Sequence, residues 1–261
     1  MNAMAVPRLD TPRAGAGPGF GHSAPGPPAP GEFHTCLVPV RPRAEWLALL
    51  DAEEAERYSR LTVGEAQDTF ATSRAVQRLL GARYLNLPPA EVRIDRDCQY
   101  CAGNHGRPRF PGGAIEYSIS HTSEWLLAAV TGTGLVGVDV ESIALDRDVG
   151  RMASIALTEA EKERFAQLPE RMRARWFVRT WTRKEAAMKL VGLGLAAPPG
   201  ELDVAGRILS VGKVPRWPDM RIFLHDLPAP PGHAAALAST IEPRIVRAVA
   251  LPHLLTLDVV P

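Results

Sequence analysis

Nothing in this chain of 261 residues approaches the run of about 18 apolar residues that a membrane-spanning helix needs, so no such helix is expected. Cysteine is scarce. Three thiols, an odd number, are too few for a disulfide scaffold, and no compact apolar stretch near the N-terminus reads as a signal peptide, so the expected compartment is the reducing cytoplasm. An excess of one charge sign is also missing. Thirty basic and 29 acidic side chains leave a net charge of +1, which provides no strong overall field to draw nucleic acid or an anionic membrane. The phosphate-binding loop G-x-x-x-x-G-K-[ST] is absent, which disfavours a nucleotide enzyme of that design.

Apolar residues are plentiful. At 46% hydrophobic, the chain can bury a sizeable core in one large domain or two small ones. Residues 1–32 are the exception, being rich in Pro, Gly and Ala with few large aliphatics. Such a segment cannot bury enough to offset its ordering entropy and reads as a disordered tail. The folded part is expected from Phe33, with a strand at HTCLVPV, then helical periodicity from Arg43 to about Leu87 in two runs, ended by Pro88 and Pro89. EYSISHTSEWLLAAVTGTGLVGVDVESI reads as strands broken at 122–124 and at the glycine turn 132–134. Thr158 with Glu161 forms a capping-box pattern for a short helix to Leu168. Pro169 suits the first turn of a long helix to about Val191, and Gly192 suits its left-handed cap. MRIFLHDL, HAAALAST and RIVRAVAL are further strand candidates. Helices and strands occur in both halves without βαβ alternation, which argues an α+β fold.

Five polar constellations stand out. In Gly137-Val-Asp139-Val-Glu141, strand alternation puts both carboxylates on one face and both valines on the other. Alone this is a wet acidic edge strand; with a partner it is a site for a hard divalent cation such as magnesium. Trp181-Thr-Arg-Lys184-Glu185-Ala-Ala-Met188-Lys189 spaces Glu185 and Lys189 for a helical ion pair, on the side of the helix that carries Phe177, Trp181 and Met188. A carboxylate so close to an apolar stripe suggests a cleft floor. Ser118-Ile-Ser120-His121-Thr122 puts two hydroxyls on one strand face, with a histidine at the end that can meet a phosphate or a base. His105-Gly-Arg107-Pro108 is a turn able to present a guanidinium to a phosphate. Cys98-Gln-Tyr-Cys101 with His105 has partial zinc-ligand spacing, and buried free cysteines are the alternative.

Taken together and in this order, HGRP, SISHT, GVDVE and, about forty residues later, WTRKEAAMK resemble the 4′-phosphopantetheinyl transferases, specifically the larger, monomeric, two-lobed kind that serves peptide and polyketide synthases. The resemblance covers roughly residues 35–240. It implies two similar α+β lobes, 33–136 and 137–261, with the site in the cleft between them. It also implies the reaction: transfer of 4′-phosphopantetheine from coenzyme A to a serine of an apo acyl or peptidyl carrier protein, with magnesium, releasing adenosine 3′,5′-bisphosphate. Carried over by motif, Asp139, Glu141 and Glu185 surround the magnesium, Lys189 holds the diphosphate, and Glu185 is the candidate base. Ser118, Ser120 and His121 lie by the nucleotide, with Arg107 and Pro108 in the turn that usually carries Lys. Arg74 matches a recurrent family arginine. The segment 64–69 carries Glu65 and Asp68 where many relatives are basic, so Arg57, Arg60 or Arg74 would stand in at the 3′-phosphate. One chain with two lobes makes a monomer sufficient. The rival reading is a non-catalytic coenzyme A or carrier-protein binding module of the same fold.

Overall fold

The computed structural model describes residues 26–251 except 42, 102, 114 and 144–147. The expected tail therefore lies outside the described residues from 1 to 25. From 26 on, the chain is packed earlier than the boundary at Phe33 suggests: Pro28 is buried, its carbonyl lying where Gly132 leaves no room for a Cβ, and Glu32 already belongs to the first strand.

The first half comprises β1 (Glu32–Pro39), α1 (Ala44–Leu47), α2 (Ala52–Arg60), α3 (Glu65–Leu85), β2 (Glu116–His121) and β3 (Trp125–Thr131). The second comprises β4 (Val136–Ser142), α4 (Val149–Ala156), α5 (Glu159–Gln167), α6 (Glu170–Val191), β5 (Leu202–Asp203), β6 (Ser210–Val211), β7 (Phe223–Leu227), β8 (His233–Ser239) and β9 (Ile245–Ala248). The architecture is α+β. One sheet runs β2-β3-β1-β9 and a second β4-β8-β7, with β5-β6 as a small hairpin. Antiparallel pairing places His34 opposite Val130, Tyr117 also opposite Val130, and Asp139 opposite Ala236. β9 returns from the second half to pair in parallel with β1.

Each half lays one long helix across its sheet. Val76, Leu79 and Leu80 of α3 pack with Val38, Tyr117 and Leu126. Ala186, Met188 and Leu190 of α6 pack with Leu224, Ala236 and Ala238. A third core joins the sheets, with Phe33, Leu127 and Ala129 against Val136, Val138, Val140 and Leu237.

Local signals explain most ends. The first of the two expected helical runs, over 44–61, is broken at 48–51, because Asp51 and Glu54 form a capping box that starts α2 afresh. Thr158 and Glu161 close the expected box at α5. Pro169 sits at the N-cap of α6, and Gly192 ends it at φ 75°, its N–H reaching Met188 O at 3.0 Å. The acids Glu65 and Asp68 fall in the first turn of α3, where the helix dipole favours negative charge. Gly132-Thr-Gly134-Leu-Val-Gly137 matches the spacing of a dinucleotide-binding turn, but it joins strand β3 to strand β4. No helix N-terminus follows it to receive a phosphate.

Candidate active site

The site begins where the sheets meet. Ser118 Oγ on β2 accepts the N–H of Val138 on β4 at 3.0 Å, so the two strands lie side by side. Val138 and Val140 turn into the shared core, which sends Gly137, Asp139 and Glu141 to the opposite face. α6 crosses that face at Gly137, where an added Cβ would stand 2.0 Å from Ala186 O and 2.8 Å from Leu190 N. Only glycine permits this approach, and the approach brings Glu185 and Lys189 beside Asp139.

The result is a cleft of about 420 Å³ with an acidic wall of Asp139, Glu141 and Glu185. Asp139 is 2% exposed. Its Oδ1 accepts from Ser120 Oγ at 2.7 Å and from Lys189 Nζ at 2.7 Å, while its Oδ2, equally buried, has no hydrogen-bond partner. Lys189 also donates to Ser120 Oγ at 2.6 Å. Its ammonium thus bridges to the acidic strand instead of closing a pair with Glu185 along the helix. Burial, and then the charge of Asp139, push the Glu185 carboxyl up to about 7, with Glu141 adding to the rise and Lys189 opposing it.

The other wall is basic. Arg74 from α3 and Arg96 from the following loop line the cleft with Ser73 and Gln77. Behind them lies buried Glu54, which pairs with Arg78 at 2.7 Å, Arg74 at 3.1 Å and more distantly Arg96 at 3.9 Å. Asp51 shares Arg78 at 3.4 Å. Gln77 Oε1 accepts from Arg96 at 2.7 Å and from Tyr117 OH at 3.0 Å, fixing the loop to the helix. Arg74 Nε is buried without an aligned acceptor. Desolvation foremost, then Arg96, lowers the Arg74 guanidinium to about 10, so it remains charged at neutral pH. His121 ends β2 at the cleft mouth. Desolvation and then Lys189 hold it below the usual imidazole range. A cleft acidic at one end and cationic at the other suits a ligand that carries several phosphate charges and a metal ion together.

A family model described as the 4′-phosphopantetheinyl transferase superfamily matches residues 135–221, the stretch that carries Asp139, Glu141, Glu185 and Lys189. The chain is 28% identical over 173 residues to the 4′-phosphopantetheinyl transferase HetI of Nostoc sp., covering 63% of this chain and 70% of that protein. It is 26% identical over 207 residues to the human L-aminoadipate-semialdehyde dehydrogenase-phosphopantetheinyl transferase, covering 73% and 64%. It is 34% identical over 92 residues to the 4′-phosphopantetheinyl transferase AcpT of Salmonella typhi, covering 34% and 47%. Over residues 135–221 the chain is similar to the 4′-phosphopantetheinyl transferase superfamily. It spans less than two thirds of the human and Salmonella relatives.

The residues singled out from sequence divide in two. Asp139, Glu141, Glu185, Lys189, Ser120, His121, Arg74 and Pro108 share the cleft. Three others are elsewhere. Ser118 is spent on the strand seam, and Arg60 is exposed on α2, paired with Glu56. Arg107 donates to Glu116 at 2.7 Å and faces a neighbouring cavity of about 300 Å³ beside the end of α6. Sequence reasoning missed Ser73, Gln77 and Arg96. Gln77 had a signal, being a polar position three residues from Arg74 and so its neighbour on the helix surface; Ser73, one of many polar positions on α3, and Arg96, in a loop, had none. Lys184 of the K-E pair turns away from the cleft. It is fully buried and satisfied by Glu161 at 2.5 Å, Ala156 O at 2.8 Å and Pro199 O at 2.9 Å. The donor set also fits a magnesium ion. It consists of hard oxygens only, one of which, Asp139 Oδ2, is buried and otherwise unanswered.

Proposed function

We propose that the protein transfers the 4′-phosphopantetheine arm of coenzyme A to a serine hydroxyl of an apo acyl or peptidyl carrier protein, giving the holo carrier and adenosine 3′,5′-bisphosphate. The observation that carries this reading is the meeting, in one cleft, of Asp139, Glu141, Glu185 and Lys189 from the second half with Arg74, Ser120 and His121 from the first. The family match supports the chemistry, and the two-signed cleft supports a diphosphate ligand.

In this reading Asp139, Glu141 and Glu185 hold magnesium, which when bound would neutralise charge on the diphosphate oxygens. Lys189, anchored by Asp139 and Ser120, presents its ammonium to the same diphosphate. Arg74 and Arg96 take the remaining phosphate charge, with His121 at the 3′-phosphate. The carrier serine oxygen forms a bond to the phosphorus next to pantetheine. The bond from that phosphorus to the bridging oxygen breaks, and the bridging oxygen leaves with the nucleotide. Glu185 takes the serine proton. All three cysteines are reduced and the cleft is complete within one chain, which supports a cytoplasmic monomer.

Intact-mass analysis of purified apo carriers from fatty-acid, polyketide and peptide synthases, incubated with the protein, coenzyme A and magnesium, tests the proposal. A mass gain of one phosphopantetheine arm, lost with chelator, is expected. Coenzyme A binding with no gain on any carrier would favour the non-catalytic binding module instead.

A further inference from the structure

The loop that leads to Pro108 closes on itself. Asp95 and Arg109 exchange backbone hydrogen bonds, both at 2.9 Å. Gly106 N–H reaches Arg96 O at 2.7 Å and Cys98 N–H reaches Gly103 O at 3.0 Å. Cys98, Cys101 and His105 sit on this closed loop with one ligand atom from each within 4.8 Å of the others. Cys101 Sγ is 3.0 Å from His105 Nε2. Tetrahedral zinc, with bonds of about 2.0–2.3 Å, holds its donors about 3.5–3.8 Å apart, so adjustments on the order of 1 Å complete the geometry.

One detail of the backbone favours this ligand set. Gly103 passes so close to His105 that an added Cβ would lie 2.6 Å from Cδ2 and 2.9 Å from Nε2 of the ring, and 3.3 Å from Cys101 Sγ. The close packing holds the imidazole against the second thiol.

We infer that Cys98, Cys101 and His105 form a zinc site, with solvent in the fourth position, separate from the acidic wall of the cleft. Two thiolates and an imidazole select zinc, whereas three carboxylates select magnesium, so the two ions do not compete. Binding releases the two thiol protons to solvent and involves no redox change. Cys101 and His105 are exposed, which leaves the ion a path of entry. The loop also bridges the halves: Gln99 Nε2 and Tyr100 OH donate to Val191 O, at 3.1 and 3.2 Å, on the helix that carries Glu185 and Lys189. Pro108 lines the cleft three residues beyond His105. The ion is a clip that holds this bridge in shape.

The test is metal analysis of the full chain, purified reduced and without a histidine tag. Elemental mass spectrometry should find about one zinc per chain, falling to about a tenth or less in C98S/C101S. As a second measurement, the wild-type chain is stripped with chelator and titrated with cobalt(II). A thiolate-to-cobalt charge-transfer band should appear, saturate at one equivalent and persist in excess magnesium. Zinc retained in C98S/C101S would overturn the site, as would a wild-type chain that neither carries zinc nor develops the band. Neither readout depends on turnover.

Discussion

Two carboxylates, Asp139 and Glu141, crowd Glu185 in the absence of metal, and the direction of its shift has a consequence for stability. Its folded pKa, about 7, lies above the unfolded value of 4.5, so between these pH values the folded chain binds more protons than the unfolded one. Stability from this group therefore falls as pH rises through that window and stays reduced above it. Glu185→Gln removes the charge. Without divalent metal, the variant should melt higher than the wild type at pH 8, with the gap narrowing toward pH 5; a variant that melts lower at pH 8 would contradict the repulsion. The same substitution should cut phosphopantetheine transfer by about 100-fold or more, since it removes the proton acceptor. Lys184, next to it, has the opposite character. Its ammonium is fully buried with three acceptors, so Lys184→Met strands the Glu161 carboxylate in the interior and should cost about 3–5 kcal/mol in urea unfolding. A loss below about 1 kcal/mol would show the pair to be dispensable.

Between elements, the decisive contact is the crossing of α6 over β4. Gly137→Ala places a methyl against backbone atoms of Ala186 and Leu190, which cannot yield as a side-chain tip could. The helix must lift, and Glu185 and Lys189 leave Asp139 with it. We expect at least about 3 kcal/mol lost in denaturant melts and loss of transfer together. Unchanged activity would mean that the two elements adjust without separating. The arginine wall depends on a similar support. Glu54 on α2 holds Arg74 and Arg78 of α3, so Glu54→Gln leaves three guanidinium groups repelling one another. It should weaken folding by about 2–4 kcal/mol at low salt and less at high salt, where that repulsion is screened.

The chain is closed by its own far end. β9 pairs with β1, Arg247 meets Glu32 at 2.6 Å, and Leu251 enters the core beneath α3. Ending the chain at Thr240 removes all three and exposes the edge of β1. The melting temperature should drop by about 5 °C or more, with aggregation through the open strand. An unchanged melting temperature would show that the first half stands without this return. The shared core of Phe33, Leu127, Val138 and Leu237 explains why damage in one half should reach the other.

Much of this was legible in short-range patterns. Capping residues at Thr158, the stop at Gly192 and the alternation in GVDVE are local effects of backbone geometry, and they place α5, α6 and β4 close to where they lie. The acidic residues and Lys189 were legible for the same reason, since spacing on one strand and one helix settles which face they occupy. What the linear chain could not show are contacts between elements far apart in sequence. Lys189 is four residues from Glu185 but bonds Asp139, 50 residues away, because the Gly137 crossing brings the strand within reach. Arg60 was a plausible phosphate ligand by charge alone, but α2 turns it to solvent, while Arg96 is drawn in from a loop by Gln77. The return of β9 likewise depends on packing against a partner strand far away in sequence, whereas the break at Asp51 is a local capping box. Periodicity and caps act over a few residues, whereas a site assembled from two halves depends on which surfaces bury one another.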